Sequence, residues 1–311
     1  MKTLEEIVAQ HREEWAARSR EQQRLEIANN EAVAKLYGLE DEVSSDVPLE
    51  RVSLTNNSAF RWPNKTQEER DLLFAQSAIE DLVSYAVGCM FGRYSLDKPG
   101  LILGNQGATL EDYLAQVPNP TFMPDEDNVI PVVDGEWFDD DIVERFRLFL
   151  RVVFGEENFE KNLAYVNECL KVKNLREYFL SMKNTKTLKK SRFYDDHLTR
   201  YKKRPIYWMF SSPKGSFNAL IYLHRYTPTT VSNVLTYLRE YVTKLEAALQ
   251  QAERTEDLKE ADRLRAVLVE LGEYEHDVLF PTASANITLD LDDGVKVNYP
   301  KLGDSLRKVK L

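Results

Sequence analysis

Residues Pro205–Tyr226 have the sequence PIYWMFSSPKGSFNALIYLHRY, the densest run of aromatic residues in the chain. β-Branched and aromatic residues on both sides of a Pro/Gly turn are typical of a β-hairpin. We therefore predict a strand over 206–210, a turn over 212–215 and a second strand over 217–223. Most aromatic side chains here are expected to lie in the core, with base stacking by any one of them as the alternative. They are Tyr207, Trp208, Phe210, Phe217 and Tyr222.

Helical patterns lie on both sides of this hairpin. After it, apolar stripes at helical spacing over 229–252 and 257–274 predict an antiparallel helical hairpin. Before it, residues 3–37 contain neither Pro nor Gly and are followed by Gly38, which predicts one long helix. Shorter helices are predicted over 66–93, 138–155, 157–172, 174–182 and 193–202.

The tail over 287–299 alternates apolar and polar residues around an Asp-Asp-Gly turn, which predicts a terminal β-hairpin. The expected fold is mainly α (α+β): a helical domain with a central aromatic β-hairpin, a long antiparallel helical hairpin and a short C-terminal β-hairpin. We predict three segments. Residues 1–40 form the long N-terminal helix, 41–226 a helical body with a Pro/Gly-rich loop and the basic hairpin region, and 227–311 the helical hairpin and C-terminal β-tail.

Composition is typical of soluble folded proteins. The chain has 311 residues, 43% hydrophobic and 30% charged, enough to bury a substantial core. Cys89 and Cys169 have no disulfide or metal spacing, which is typical of a reducing compartment. No signal-peptide pattern is present at 1–10, and no apolar run reaches membrane length. We expect a cytoplasmic protein without membrane contact.

Charge is separated sharply along the chain, whose formal net charge is -10. Residues 171–225 contain 14 Lys/Arg and 3 Asp/Glu, whereas residues 107–170 contain 4 Lys/Arg and 15 Asp/Glu. An acidic total argues against indiscriminate coating of nucleic acids. A basic patch on an acidic body is nevertheless a normal footprint of a phosphate-directed surface.

The candidate DNA-binding residues are cations of this basic segment, since cations on one face would displace counterions from a nucleic-acid backbone. Ser211, Ser212 and Ser216 lie near the hairpin tip and are expected to add phosphate contacts. The alternative is that Arg200–Arg204 only cap a helix C-terminus and that the lysines are simply solvated. The candidates are Lys183, Lys186, Lys189, Lys190, Arg192, Arg200, Lys202, Lys203, Arg204 and Lys214.

No pattern in the sequence carries catalytic, cofactor or metal chemistry that we can assign. Glycine-rich phosphate loops and the Gly-x-Ser-x-Gly elbow are missing, and the four histidines have no ligand spacing. Three consecutive acids at 139–141 point in different directions around a helix, which favours helix capping over metal binding. The sequence Asn-Pro-Thr-Phe at 119–122 is one residue from the Asn-Pro-Pro-Tyr/Phe loop of adenine methyltransferases. Because the second proline is missing, we interpret it as an ordinary loop.

Five segments resemble, in order, the C-terminal portion of the large adenine-specific DNA methyltransferases of BREX (phage-growth-limitation type) defence systems. The resemblance spans most of the chain. That family's catalytic half, with its cofactor-binding and Asn-Pro-Pro-Tyr motifs, has no counterpart in this sequence. The segments are 85–101 (YAVGCMFGRYSLDKPGL), 124–131 (PDEDNVIP), 137–143 (WFDDDIV), 204–222 (RPIYWMFSSPKGSFNALIY) and 289–299 (LDLDDGVKVNY).

The resemblance implies a parent enzyme that methylates adenine N6 of host DNA with S-adenosylmethionine, in a system that blocks phage. For this chain it implies a non-catalytic DNA-binding and docking part, inactive alone and without S-adenosylmethionine. The implied partners are double-stranded DNA, a methyltransferase catalytic region in cis or trans, and other BREX components. The alternative is a helical protein-interaction scaffold that presents 3–37 and 229–274 to other defence components without contacting DNA. A third hypothesis, an acidic DNA mimic, is disfavoured by the basic centre.

Overall fold

Helices dominate the protein, and the predicted mainly-α fold is confirmed. The computed structural model describes residues 2–180 and 192–310 and is 61% helical. The α-helices are α1 Leu4–Tyr37, α2 Ser58–Arg61, α3 Gln67–Met90, α4 Leu110–Gln116, α5 Ile142–Phe154, α6 Phe159–Leu170, α7 Leu175–Phe179, α8 Arg192–Arg200, α9 Thr230–Arg254, α10 Leu258–Tyr274, α11 Phe280–Ser284 and α12 Val295–Asn298. Short 3₁₀ segments cover Leu49–Arg51, Glu156–Asn158, Leu223–Arg225, Leu291–Asp293 and Tyr299–Ser305, and a π segment covers Glu275–Leu279.

The long helices begin and end where the sequence predicts. Thr3 and Glu6 form a reciprocal capping box at the start of α1, and Gly38 ends it in the left-handed region at φ 64. Helices α9 and α10 pack as the predicted hairpin, and the side chain of Asp257 caps the second of them. Local capping chemistry therefore sets these boundaries, while the apolar stripes set what each helix buries.

The central hairpin is confirmed and belongs to a three-stranded antiparallel sheet. Strand β2 (Tyr207–Ser211) pairs with β3 (Asn218–Tyr222), and β3 also pairs with β1 (Val129–Pro131). Strand β1 lies within the segment predicted as a Pro/Gly-rich loop, so its pairing is a finding of the structure. Pro131 is compatible with it because β1 is an edge strand.

The sheet is buried on both faces, so its aromatic residues form core. On one face Trp208 and Phe210 join an apolar cluster with α9 and α10. On the other face the rings of Phe91 and Tyr207 stack with centroids 5.3 Å apart. Tyr207, Trp208, Phe210, Phe217 and Tyr222 are all buried. The core interpretation is confirmed for each of them, and none presents a free face for a base.

The predicted C-terminal β-hairpin is wrong. Asp290 instead starts a 3₁₀ turn by accepting a hydrogen bond from the backbone N–H of Asp292, and Gly294 at φ 77 leads into α12. The amide of Asn298 closes this turn onto the backbone of Asp290. Asp and Asn offer the backbone such local partners in place of a strand ladder. The tail does meet the sheet farther on, where Leu306 forms a bridge with Phe210.

Close contacts group the chain into two compact units. The first comprises Met1–Leu82 and Val153–Lys171, and α1 packs on α6 within it. The second comprises Val83–Val152 and Val172–Leu311 and contains the sheet, α9 and α10. The division into segments 1–40, 41–226 and 227–311 stays a prediction.

Candidate nucleic-acid interface

Four of the predicted DNA-binding cations lie together where α8 ends, on a turn that we call the basic turn (Arg200–Arg204). Lys202 and Lys203 both adopt left-handed backbone conformations, at φ 49 and 61. The N–H of Lys203 donates to the carbonyl of Leu198 at 2.7 Å, which ends the helix. The side chains of Arg200, Lys202, Lys203 and Arg204 are exposed. The turn therefore presents four positive charges to solvent within five residues.

A buried histidine fixes the basic turn against the sheet. Nε2 of His197 accepts hydrogen bonds from the N–H groups of Ile206 and Tyr207, both at 3.2 Å. Because Nε2 is an acceptor, the imidazole is neutral and carries its proton on Nδ1. Burial, with the nearby positive charge of Arg200, lowers the pKa of His197 to about 3. The basic turn lies between the end of α8 and the two backbone N–H groups that donate to His197.

Tyr201 lines a shallow depression on the basic turn. The cations lining the depression are Arg200, Lys202 and Arg204. The Tyr201 side chain is half-buried, and its ring contacts the His197 ring in a tilted arrangement with centroids 4.7 Å apart. Burial raises the pKa of its hydroxyl, so the side chain is neutral at physiological pH. The basic turn thus combines positive charge with an anchored aromatic ring.

Lys214 lies apart from the basic turn. It is exposed at the tip of the β2–β3 hairpin, whereas the basic turn precedes the start of β2. A five-residue strand is roughly 15 Å long, so the hairpin separates the two sites by about that distance. The predicted cations therefore lie at two or more separate sites. A ligand that contacts both the basic turn and Lys214 must extend along the hairpin.

The serines near Lys214 are used inside the protein. The buried carboxylate of Glu270 accepts hydrogen bonds from the hydroxyl of Ser212 at 2.7 Å and from that of Ser216 at 2.5 Å. The backbone N–H of Lys214 donates to the same carboxylate at 2.6 Å. The hydroxyl of Ser211 donates to Asn218. The prediction that these serines are available for phosphate is therefore wrong, because they shape the hairpin tip instead.

The remaining candidates are placed differently. Lys183, Lys186, Lys189 and Lys190 lie outside the described residues, and their role stays a prediction. Arg192 is half-buried at the start of α8, with its guanidinium 5.4 Å from the ring centroid of Tyr178. That stacking holds Arg192 against the protein, so it presents less charge to solvent than the basic turn does.

Comparisons with known proteins show two similar adenine-specific methyltransferases. No protein-family model matches the chain. The chain is 36% identical over 300 residues to the adenine-specific methyltransferase BrxX of Escherichia coli O9:H4 (strain HS). It is 34% identical over 293 residues to the adenine-specific methyltransferase PglX of Lacticaseibacillus casei (strain Zhang). These alignments cover 90% and 88% of the chain.

The chain is homologous to part of the BrxX/PglX adenine-specific methyltransferases. The aligned regions amount to 24% of BrxX and 22% of PglX. The chain therefore spans about a quarter of the length of the curated relatives that it matches.

In this BrxX/PglX homologue, the Asn-Pro-Thr-Phe sequence at 119–122 is a structural loop. Asp97 accepts hydrogen bonds from both the backbone N–H and the hydroxyl of Thr121. Phe122 is buried, with its ring centroid 5.7 Å from that of Phe149. An aromatic ring packed in this way has no free face for a flipped base, which supports the interpretation as an ordinary loop.

The acids at 139–141 also act structurally in this BrxX/PglX homologue. Asp141 is fully buried, accepts hydrogen bonds from the first turn of α5 and forms an ion pair with Arg176 at 2.8 Å. Asp140 accepts a hydrogen bond from the hydroxyl of Tyr237. Among residues 2–180 and 192–310, no cluster of His, Cys, Asp and Glu could hold a metal ion. None of the helices within those ranges is both long and apolar enough to cross a membrane.

Sequence reasoning missed a buried arginine site. Arg225 is 6% exposed and donates to the backbone carbonyls of Phe91, Asp125 and Glu126 at 3.5, 2.8 and 2.9 Å. Burial lowers the pKa of Arg225, and the nearby carboxylates of Asp125 and Asp127 oppose that effect. Burial also raises the pKa of Asp125 to about 7. The only sequence signal was a positively charged residue in the apolar stretch 220–226. Because residues 171–225 carry many other cations, this one does not stand out.

Proposed function

We propose that this chain is a DNA-binding and docking part, without a catalytic centre of its own, of an N6-adenine DNA methyltransferase in a BREX anti-phage defence system. The homology to BrxX and PglX supports the methyltransferase context. The observation that carries the DNA-binding role is the exposed basic turn, which His197 holds in one conformation. The proposed parent enzyme, a DNA methyltransferase, acts on DNA, and a fixed cluster of cations is suited to the DNA phosphate backbone.

One property of the basic turn favours phosphate contacts, and a second explains why its cations lie close together. Its cations are presented by backbone that is already fixed, so less conformational entropy is lost when they bind. The nearest helix terminus is the C-terminal end of α8, which stabilises positive charge and helps to keep the cations close together. The proposed partners are double-stranded DNA, the methyltransferase catalytic region in cis or trans, and other BREX components.

Replacing Lys202, Lys203 and Arg204 with alanine tests the DNA contact. Each lost phosphate contact is expected to lower the slope of log affinity against log salt by about 0.9, so the triple variant should lose about two to three units. Alanine keeps the β-carbon, so the left-handed backbone at 202 and 203 gains no new strain. The measurement is fluorescence anisotropy with labelled duplex DNA across salt concentrations, and circular dichroism checks the fold.

A second triple variant is the matched control for this experiment. Arg254, Lys259 and Lys296 are exposed cations of α9, α10 and α12, outside the basic turn in the sequence, and their replacement by alanine changes the net charge equally. The control should keep a slope within about half a unit of the wild type. An unchanged slope in the folded basic-turn variant would move the DNA contact elsewhere.

A helical interaction scaffold is the second candidate, and the surface of α1 favours it. Leu25, Val33, Leu36 and Tyr37 lie in the second half of this helix and are 48%, 45%, 78% and 71% exposed. Several exposed large apolar side chains on one helix are a feature of protein interaction surfaces. This candidate predicts little DNA binding at physiological salt and the loss of a protein partner when these side chains are replaced.

We expect the chain alone neither to bind S-adenosylmethionine nor to methylate DNA, because its sequence lacks both motifs of the family's catalytic half. Isothermal titration with the cofactor should give no heat above dilution. The same preparation titrated with duplex DNA is the control for active protein. A micromolar dissociation constant for the cofactor would contradict this prediction and point to a binding site within the chain.

A further inference from the structure

Tyr201 is the aromatic residue in the middle of the basic turn, with cations on both sides of it in the sequence. Tyr201 lines the depression together with Arg200, Lys202 and Arg204, and its side chain is half-buried. Aromatic rings beside cations are the elements from which proteins build platforms for unstacked bases.

The ring is held in place from inside the protein. The centroids of the Tyr201 and His197 rings are 4.7 Å apart, with the ring planes tilted by 46°. His197 is in turn fixed by its two hydrogen bonds from the start of β2. A platform anchored in this way loses little freedom when a base stacks on it.

We propose that this depression binds an unstacked nucleotide, with its base on the Tyr201 ring and its phosphate against the surrounding cations. The inference rests on the proposed DNA-binding function and deepens it. Bases within a duplex already stack on one another and offer no free face, so the site is selective for single-stranded or unpaired DNA. The buried rings of the hairpin cannot serve this purpose, whereas Tyr201 lies at the surface beside the phosphate-directed cations.

The test compares Tyr201→Ala and Tyr201→Phe in binding to a single-stranded 20-mer and to a duplex of the same length. Loss of base stacking is expected to weaken single-strand binding by Tyr201→Ala about 5- to 150-fold. Tyr201→Phe keeps the ring and should bind within about twofold of the wild type. Since stacking releases no counterions, the salt slope of Tyr201→Ala should stay close to that of the wild type. Duplex affinity should fall much less than single-strand affinity.

Several outcomes separate this inference from the proposed function. No DNA binding by the wild type would overturn the proposed function and, with it, the nucleotide site. Wild-type binding that Tyr201→Ala leaves unchanged would overturn the nucleotide site alone. Equal losses for single strand and duplex, or equal losses for Ala and Phe, would also overturn it. Tyr201→Leu, which keeps most of the side-chain volume, serves if Tyr201→Ala fails to fold, and the same single-strand loss is expected of it.

Discussion

Replacing Arg225 with methionine is expected to lower the free energy of unfolding by about 3–5 kcal/mol. The guanidinium donates to three backbone carbonyls, and a methionine leaves the carbonyls of Phe91, Asp125 and Glu126 without those donors. It also removes a positive charge beside the carboxylates of Asp125 and Asp127. Methionine fills a similar volume, so the loss reports polar interactions rather than a cavity. Urea denaturation followed by tryptophan fluorescence measures the effect.

Two variants make the Arg225 result specific. Arg204→Met removes an exposed arginine and should change the free energy of unfolding by less than about 0.5 kcal/mol. Arg225→Lys keeps the charge, but a single ammonium cannot reproduce the fork of the guanidinium, so intermediate stability is expected. A stability for Arg225→Met equal to that of Arg204→Met would mean that this buried network contributes nothing measurable.

Helices could be predicted well from the sequence because their signals are local. The run without Pro or Gly over 3–37, the glycine at 38 and the apolar stripes of α9 and α10 lie within a few residues of the features that they determine. Strand β1 was missed because its signal is not local. Val129–Pro131 is three residues long, and its partner on β3 is about ninety residues away in the chain. No spacing rule connects such segments.

The terminal β-hairpin shows the opposite error, in which a local pattern was correct but incomplete. Leu289 is buried and its neighbours are exposed, as the alternation predicts. Asp290 and Asn298 then bond to nearby backbone and close a turn before any second strand can pair. Side chains of this kind compete with a ladder, and period-two alternation alone does not record that competition.

The candidate site was predictable as a list of residues but not as an arrangement. Exposure of Arg200, Lys202, Lys203 and Arg204 followed from their position at the end of a helix. The distance to Lys214 depends on the length of the hairpin between them. The use of the nearby serines depends on Glu270, more than fifty residues farther along the chain. The sequence also gave no indication that the single histidine of α8 positions the turn.

Acid is expected to destabilise the protein through His197. The neutral ring accepts two N–H groups, so protonation of Nε2 breaks both hydrogen bonds. The pKa of this histidine is about 3 in the folded protein, against 6.5 for an ordinary histidine. Between these values the unfolded chain binds a proton that the folded protein excludes. The stabilising contribution is therefore complete above pH 6.5 and is lost as the pH falls towards 3.

The size of the effect follows from about 1.4 kcal/mol for each pH unit, which gives a loss of about 2–3 kcal/mol between pH 7.5 and 4.5. His197→Gln is the matched variant, because its side-chain oxygen can accept the same N–H groups but does not titrate. Asp125, with a raised pKa, favours the folded state in acid, but it is present in both proteins and cancels in their difference. Urea denaturation from pH 7.5 to 4.5 should show the wild type losing about 2–3 kcal/mol more than His197→Gln. If the free energy of unfolding changed with pH equally in the two proteins, folding would not lower the pKa of His197. Contacts other than the His197 hydrogen bonds would then have to hold the basic turn in place.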